Sequence, residues 1–113
     1  MNLGELASSA KMMLGFGISV KDVMPNLKAL GDVAMGDSGK FMSLSLAFSQ
    51  AQAAGKLMGN DLLQMINAGF NPLETMAKTT GKSISQLKDE MSKGKISADM
   101  LKQALMDATS EIS

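Results

Sequence analysis

The residues of this chain that are able to take part in chemistry are lysines, carboxylates and serines, because histidine, cysteine and tyrosine are absent. Without histidine the sequence lacks the usual general base and the commonest metal ligand. Two adjacent carboxylates, Asp89 and Glu90, are the best candidates for paired acid–base work. They stand beside Lys88 and Lys93, so ion pairs on a solvated helix face are the simpler interpretation. We therefore predict that the chain is not an enzyme and has no catalytic residue, metal ligand or cofactor-binding residue.

Two fragments resemble part of a phosphate-binding loop. Gly81-Lys82-Ser83 matches the end of that loop, but the motif requires glycine where Met76 stands and a strand before it. The stretch from Gly31 to Gly36 has the glycine spacing of the loop but continues with Asp37, which carries the wrong charge. We interpret residues 81–83 as the end of one helix followed by the start of another.

The formal net charge of the chain is zero, with 11 basic and 11 acidic side chains. Neutralising phosphates requires clustered excess cations, so this balance argues against binding of nucleic acid or an anionic membrane. No segment reaches the roughly 18 apolar residues that a membrane span requires. Glu5 stands where a signal peptide would carry positive charge. We predict neither nucleic-acid binding nor a membrane span in this segment.

The stretch from Phe41 to Gly55 contains no charged residue and is flanked by Lys40 and Lys56. Its apolar residues recur at helical spacing and define one strong face, namely Phe41, Leu44, Phe48 and Ala51. A helix that is apolar most of the way round is normally buried in a larger bundle. We predict that this stretch is the central helix of the fold. Its serines, Ser43, Ser45 and Ser49, are able to bond back to the preceding turn, so their burial need not be prohibitive.

Glycines, capping residues and prolines divide the rest of the chain into short helices. We predict a first helix from about Leu3 to Leu14 that ends at Gly15-Phe16-Gly17. Further helix starts or ends are predicted at Ser19, Gly36–Gly39, Asn60, Gly69, Asn71-Pro72, Gly81, Gly94 and Ser97. The predicted inward residues include Leu6, Ala10, Met13 and Leu14 of the first helix, Val23, Leu27, Leu30 and Ala34 of the second, Leu62, Leu63 and Ile66 of the fourth, and Met100, Leu101, Ala104, Leu105 and Ala108 of the last. No stretch alternates with the period of a strand. We predict an all-α fold, a compact bundle of about six or seven short helices forming a single domain over residues 1–113.

Pro25 leaves two interpretations of the second helix open. The helix either contains Pro25 and is kinked by it, or begins at Pro25 after a short turn that ends at Met24. We favour the second interpretation.

A weak internal similarity relates two parts of the chain. Asn60, Leu62, Ile66 and Gly69 align at a constant offset with Ser85, Leu87, Met91 and Gly94. An old helical duplication would explain this alignment. Independent helices follow the same start and stop rules, which is the interpretation we favour.

Twelve methionines are many for a chain of this length. Methionine fills irregular space and also lines adaptable grooves. We favour core filling and keep a Met-lined groove as the alternative. Exposed contact candidates are the lysine-bearing turns Gly55-Lys56, Gly81-Lys82 and Gly94-Lys95, for which solubilising helix ends are the simpler interpretation.

Six short stretches are spread, in order, along most of the chain. They are Leu14–Gly17, Leu30–Gly36, Ala53–Leu62, Gln64–Gly69, Met76–Gly81 and Met91–Ser97. Together they resemble the conserved helical domain of tail tape measure proteins of long-tailed bacteriophages and prophages. The family usually continues past Asp107–Thr109 into a glycine-rich segment, so the resemblance implies that the chain is a fragment of a much longer protein.

The resemblance implies a structural role, with no catalytic residue. That role is to set tail length during assembly and then to leave the virion with or ahead of the DNA. The implied partners are the tail tube, the tail tip and an assembly chaperone, and self-association stays open. The implied locations are the host bacterial cytoplasm during synthesis and the lumen of the virion tail after assembly.

The predicted short helices limit which part of that role this segment performs. A continuous helix of this length would span roughly 170 Å at about 1.5 Å per residue, whereas a compact domain has a radius of gyration of about 13 Å. We predict a folded module attached to a ruler that lies elsewhere in the parent chain. The alternative is a non-catalytic helical adaptor that presents a Met-rich groove to a partner helix.

Overall fold

The computed structural model describes residues 1–112, which form seven α-helices. In chain order these are α1 (Leu3–Gly15), α2 (Val20–Ala34), α3 (Ser38–Ala54), α4 (Gly59–Asn67), α5 (Pro72–Thr80), α6 (Ile84–Ser92) and α7 (Ala98–Ile112). The described part of the chain contains no strand, only an isolated bridge between Lys56 and Ser97. The all-α prediction is confirmed.

Helix α3 lies at the centre of the core. It packs against α1, α2, α4 and α7, and Phe41, Leu44, Phe48 and Ala51 are all buried, as predicted. Asp37 caps its first turn by accepting a hydrogen bond from the Lys40 amide (2.9 Å), and Gly55 ends it in a left-handed conformation. Every helix contributes at least one side chain to the same buried cluster. The radius of gyration is 13.1 Å.

Two of the three α3 serines lack the hydrogen bond that the preceding turn could supply. Ser45 and Ser49 are fully buried, yet neither Oγ has a hydrogen-bond partner among the described residues. Burial of a hydroxyl without a partner costs free energy. The close packing around α3 therefore includes two hydroxyl groups without hydrogen-bond partners. Serine side chains are small, so they fit where helices approach closely.

Helix α1 faces the core with fewer residues than its pattern predicted. Met13 is fully buried, and Leu6 and Ala10 pack against the core while remaining partly exposed. Leu14 is 46% exposed, so its predicted inward position was wrong. It lies next to Met13 in sequence, and a helical rotation of about 100° per residue turns its side chain away from α3.

Helix α2 begins at Val20 and contains Pro25, so our favoured start at Pro25 was wrong. The missing proline N–H would have donated to the carbonyl of Lys21, in an exposed first turn that water solvates. The loss is therefore small. Val23, Leu27, Leu30 and Ala34 are all buried, as predicted.

Met35 ends α2 in an unusual conformation. Its φ is 54°, and it is the non-glycine residue with positive φ in the described part of the chain. Glycine adopts this left-handed region without the steric cost that a Cβ imposes. Met35 is also highly exposed, so its side chain contributes little packing to offset that cost.

We expect Met35→Gly to raise the free energy of unfolding by about 0.5–1 kcal/mol, because it removes the Cβ clash. The same replacement at Met24, an exposed position with right-handed helical geometry, is expected to lower it by about 1 kcal/mol. Urea unfolding of both variants measures the difference. Equal destabilisation by the two changes would show that Met35 is not strained.

Helix α4 departs from its predicted start and buried face. Its N-cap is Met58, with Asn60 already inside the helix. Leu62 and Met65 face the core, whereas Leu63 is 59% exposed and Ile66 is partly exposed. The predicted cap at Asn60 and the predicted inward positions of Leu63 and Ile66 were therefore wrong. The helix begins at Gly59, three residues after the isolated bridge at Lys56.

The remaining helix ends agree with the sequence signals. Asn71 caps α5 by accepting from the Leu73 amide (3.1 Å), Pro72 opens that helix, and Gly81 ends it. Ser97 Oγ accepts from the Met100 amide (3.1 Å) at the start of α7. Leu101, Ala104, Leu105 and Ala108 are buried in α7, while Met100 is only partly buried.

Helices α4 and α6 share their length and their ending. Each has nine residues and is followed by a glycine with positive φ, Gly69 or Gly94. The amide that follows each glycine bonds back across the helix end, from Phe70 to Met65 and from Lys95 to Glu90, both at 2.9 Å. This is the general geometry of glycine-terminated helices, so it does not decide between duplication and independent origin.

Two connections of the chain are joined by backbone hydrogen bonds. The Leu57 amide donates to the Ile96 carbonyl (2.8 Å), and the Ala98 amide donates to the Gly55 carbonyl (2.9 Å). Leu57 and Ile96 are both fully buried. We call residues 55–57 with 96–98 the backbone tie. It fixes the end of α3 against the start of α7 and encloses α4, α5 and α6 between its two halves.

Candidate functional site

The fragment that resembles a phosphate-binding loop joins α5 to α6. Gly81 ends α5 with a φ of 77°, and Ser83 caps α6 by accepting from the Gln86 amide (3.0 Å). Lys82 Nζ donates to Glu90 Oε1 at 2.6 Å. The interpretation as one helix end followed by a new helix start is confirmed.

The candidate carboxylates Asp89 and Glu90 are held in separate ion pairs. Asp89 pairs with Lys93 one helical turn away at 3.0 Å, whereas Glu90 pairs with Lys82. The two carboxylates therefore do not converge on a common point for acid–base work. Among residues 1–112, no group of three or more acidic side chains is arranged to hold a metal ion.

The structure brings two of the three lysine-bearing turns together. Gly55-Lys56 and the segment after Gly94 form the backbone tie, and the Lys56 side chain passes about 3.7 Å from where a Cβ on Gly94 would stand. The third turn, Gly81-Lys82, is instead fixed by the ion pair to Glu90. A contact role for these turns stays a prediction.

The methionines are distributed differently from our favoured prediction. Three of the twelve are buried, five are partly buried, and Met1, Met24, Met35 and Met58 are exposed. Core filling therefore accounts for only part of the set.

Met1 and Met24 line an apolar groove of about 320 Å³ along α2, together with Leu6, Leu27, Lys28, Gly31 and Asp32. The absent side chain of Gly31 leaves room for Met1, whose Cε would lie 2.8 Å from a Cβ at that position.

A larger cleft of about 490 Å³ lies between the start of α3 and α4. The exposed face of α4 supplies Asn60, Leu63, Gln64 and Asn67 to its wall, and of these only Leu63 was predicted to face the core. Gln64 Nε2 donates across the cleft to the Ser43 carbonyl (3.0 Å). This contact holds α4 against α3 while leaving Leu63 facing solvent.

Asp61, in the first turn of α4, is a buried carboxylate that the sequence did not reveal. It is 4% exposed, and its Oδ1 has no hydrogen-bond partner within residues 1–112. Burial raises the pKa of this carboxyl above its ordinary value. An aspartate near a helix start is common for electrostatic reasons, so no sequence signal separated it from an exposed one.

This pKa shift predicts the direction of a pH effect. The pKa of Asp61 is higher in the folded state than in the unfolded state, so the folded protein keeps this proton to higher pH. As pH rises above about 4, loss of the proton from Asp61 therefore lowers the free energy of unfolding. We expect Asp61→Asn to raise the free energy of unfolding at pH 7, with the gain disappearing as pH falls towards 3. Chemical unfolding of the two proteins across this range measures it.

The matched control is Asp99→Asn, an exposed aspartate in the first turn of α7. Its replacement is expected not to raise the free energy of unfolding at pH 7, because a carboxylate is favourable at an exposed helix start. Asp22 and Asp32 titrate in the opposite sense. Hydrogen bonds from Ser19 and Lys102 lower the pKa of Asp22, and those from Thr109 and Lys28 lower the pKa of Asp32. The stabilisation of the folded state that comes from these two ionised carboxylates is lost only as pH falls below about 4. A gain from Asp61→Asn that did not vary with pH would contradict the assignment.

Comparison with known proteins identifies the family. Curated proteins and solved structures gave no match. A family model described as tape measure protein matches residues 2–113. The chain belongs to the tape measure protein family. The resemblance found in the sequence is thereby confirmed.

Tape measure proteins are generally structural. The acidic and basic side chains of this domain are spread over ion pairs on several helices, including Lys28 with Asp32 and Lys102 with Asp22. No helix within residues 1–112 is long and apolar enough to cross a membrane. The candidate contact regions of this tape measure domain are the groove along α2, the cleft beside α4 and the turns at the backbone tie.

Proposed function

We propose that this domain is a folded module of a phage tail tape measure protein that acts in tail assembly and in tail-length determination. The parent chain is much longer, and its measuring segment lies outside residues 1–113. The module is made in the host cytoplasm and enters the lumen of the growing tail. There its partners are the tail tube and the tail tip, with an assembly chaperone before that.

The dimensions of the domain support its separation from the ruler. Its principal extents are 39 × 27 × 23 Å, whereas the same number of residues in one continuous helix would span roughly 170 Å. Each residue of this module therefore adds far less length than a residue of an extended helix. A module of this shape is suited to making contacts at a fixed point of the assembly.

The test is a pair of in-frame deletions of equal length in the parent gene, with tails measured by electron microscopy. Deleting residues from the long helical region is expected to shorten tails by about 1.5 Å per residue. Deleting this domain is expected to shorten tails by no more than its longest extent of 39 Å, and to reduce the number of complete tails.

Two outcomes would contradict the proposal. Tails shortened by roughly 170 Å on deletion of this domain would make it part of the ruler. Normal numbers of tails of unchanged length and infectivity would show that the domain has no role in assembly.

A helical adaptor is the second candidate, and the apolar groove along α2 favours it. Met1 and Met24 are exposed on this groove, and methionine-lined grooves accept apolar faces of partner helices. We expect Met24→Glu to leave the fold intact and to abolish co-purification of the parent chain with its helical partner. The control is Met58→Glu, an exposed methionine at the start of α4. Unchanged co-purification of the Met24 variant would reject this function for the groove.

A further inference from the structure

Helix α6 is the least anchored helix of the fold. Leu87 is its one fully buried side chain, and Met91 packs only partly against the core. In the described part of the chain, α5 is the one helix that packs extensively against α6. The last turn of α6 also borders a cleft of about 170 Å³ beside Leu57 and Met58, so it is not closely packed there. A segment with few buried apolar contacts is one that opens independently of the rest of a fold.

Helix α4 shows what firmer anchoring looks like at the same length. Both helices have nine residues and are followed by a glycine with positive φ. Helix α4 buries Leu62 and Met65 and packs against α3, the central helix. Gln64 adds a hydrogen bond to the Ser43 carbonyl. The two helices therefore differ in their tertiary contacts and not in their length or their ends.

The polar interactions of α6 add little to its attachment. The Asp89–Lys93 ion pair lies within the helix, and both side chains are exposed. The Lys82–Glu90 ion pair, at 2.6 Å, links the helix only to the connection that precedes it, and both side chains are partly exposed. Exposed ion pairs contribute little to stability. The other carboxylate oxygen of Glu90, Oε2, is buried without a hydrogen-bond partner among residues 1–112, which disfavours the packed helix.

The segments on both sides of α6 are anchored without it. Gly81 and Gly94 flank the helix, both with positive φ. Before Gly81, α5 buries Leu73 and Met76 and packs against α7. After Gly94, the fully buried Ile96 belongs to the backbone tie. The chain between the two glycines is therefore able to change conformation while its ends stay in place.

An open α6 is expected to be unfolded and not a detached rigid helix. It has nine residues, and isolated helices shorter than about 12–15 residues are marginal in water. An extended residue spans about 3.3 Å, more than twice the helical rise of about 1.5 Å. The unfolded segment therefore bridges the gap between its fixed ends without pulling on them.

We propose that α6 is a reversible lid on α5. It opens by local unfolding between Gly81 and Gly94 while the other six helices stay folded, and the burial of Leu87 is the main contact that keeps it closed. When the lid is open, the side of α5 that α6 covers faces solvent. The lid is a property of the fold and does not rest on the proposed function.

Native-state hydrogen exchange of this chain, followed by NMR at a series of low urea concentrations, tests the proposal. After correction for intrinsic rates, the amides of α6 are expected to exchange at least about a hundredfold faster than those of α3. Their exchange is also expected to depend less on urea, because local opening exposes less surface than global unfolding. The amides of α4 are the comparison at equal length and are expected to exchange more slowly than those of α6.

Two outcomes of the exchange measurement would overturn the proposal. A single opening free energy and urea dependence shared by α6 and α3 would make α6 part of one cooperative unit. Equally fast exchange in α4 and α6 would show that helix length, and not the number of buried contacts, decides which segment opens.

A pair of variants places the same charge at neighbouring positions of α6. Leu87→Asp puts a carboxylate at the buried position, so α6 is expected to lose its amide protection while the signals of α3 and α7 stay dispersed. Gln86→Asp, at an exposed position in the first turn, is the matched control and is expected to keep α6 folded. Retained protection of α6 in the Leu87 variant, or loss of native signals throughout the chain, would count against the lid. Neither result bears on tail length, so failure here is distinct from failure of the proposed function.

Discussion

Replacing Leu44 by alanine is expected to lower the free energy of unfolding by about 2–5 kcal/mol. Leu44 is fully buried in α3, where contacts from α1, α2, α4 and α7 surround that helix. Removing its side chain costs both transfer free energy and the cavity that remains. Against the roughly 5–15 kcal/mol that stabilises a typical domain, this loss is large. Thermal and urea unfolding followed by circular dichroism measure it.

The control is the same replacement at Leu63, which is exposed on α4. A solvent-facing leucine buries little surface, so its removal is expected to change stability by no more than about 0.5 kcal/mol. The comparison tests the assignment of the central helix directly. Equal effects at the two positions would mean that α3 is not the centre of the core or that α4 is covered in solution.

The second large effect is a gain in stability. We expect the double variant Ser45→Ala/Ser49→Ala to raise the free energy of unfolding by about 1–3 kcal/mol. It removes two buried hydroxyls that have no partner within residues 1–112, and alanine is also the better helix former. Urea unfolding of the single and double variants shows whether the two contributions add.

Ser9→Ala provides the matched control, because Ser9 is equally buried but donates a hydrogen bond to Met42 Sδ at 3.3 Å. Its replacement is expected to be neutral or slightly destabilising. If the α3 double variant proved less stable than the parent protein, Ser45 and Ser49 would have to be bonded to carbonyls of the preceding turn, as the sequence first suggested.

The helix ends were predictable because local chemistry determines most of them. Gly55, Gly81 and the Asn71-Pro72 pair act through their own backbone geometry, whatever the rest of the fold does. The exceptions arise where a neighbouring element overrides the local signal. Pro25 looked like a helix start, but burial of Val23 favours extending α2 back to Val20.

The faces of the short helices were less predictable than their ends. In α4 the four apolar residues fall within five consecutive positions, so the pattern alone did not separate inward Leu62 and Met65 from outward Leu63 and Ile66. The rotation of such a helix is set by its tertiary contacts, including the bond from Gln64 to the Ser43 carbonyl. Those contacts connect residues far apart in sequence, and periodicity carries no information about them.

The burial of Asn26 was also beyond the sequence analysis, although one signal was present. Asn26 falls between Val23 and Leu30 at helical spacing, which puts a polar residue on an otherwise apolar face. That observation could have marked it as buried. The approach of Lys102 to Asp22 from the other end of the chain had no local signal.

Under the proposed function the module moves within a tail tube, and the backbone tie would then have a mechanical consequence. Tension applied at the two ends of the domain passes from the end of α3 to the start of α7 through the bonds between Gly55 and Ala98 and between Leu57 and Ile96. Helices α4, α5 and α6 lie outside this load path until those bonds break. Once both bonds are broken, the roughly forty residues between the two halves of the tie would be free to extend. The backbone tie therefore limits how far the domain lengthens under tension.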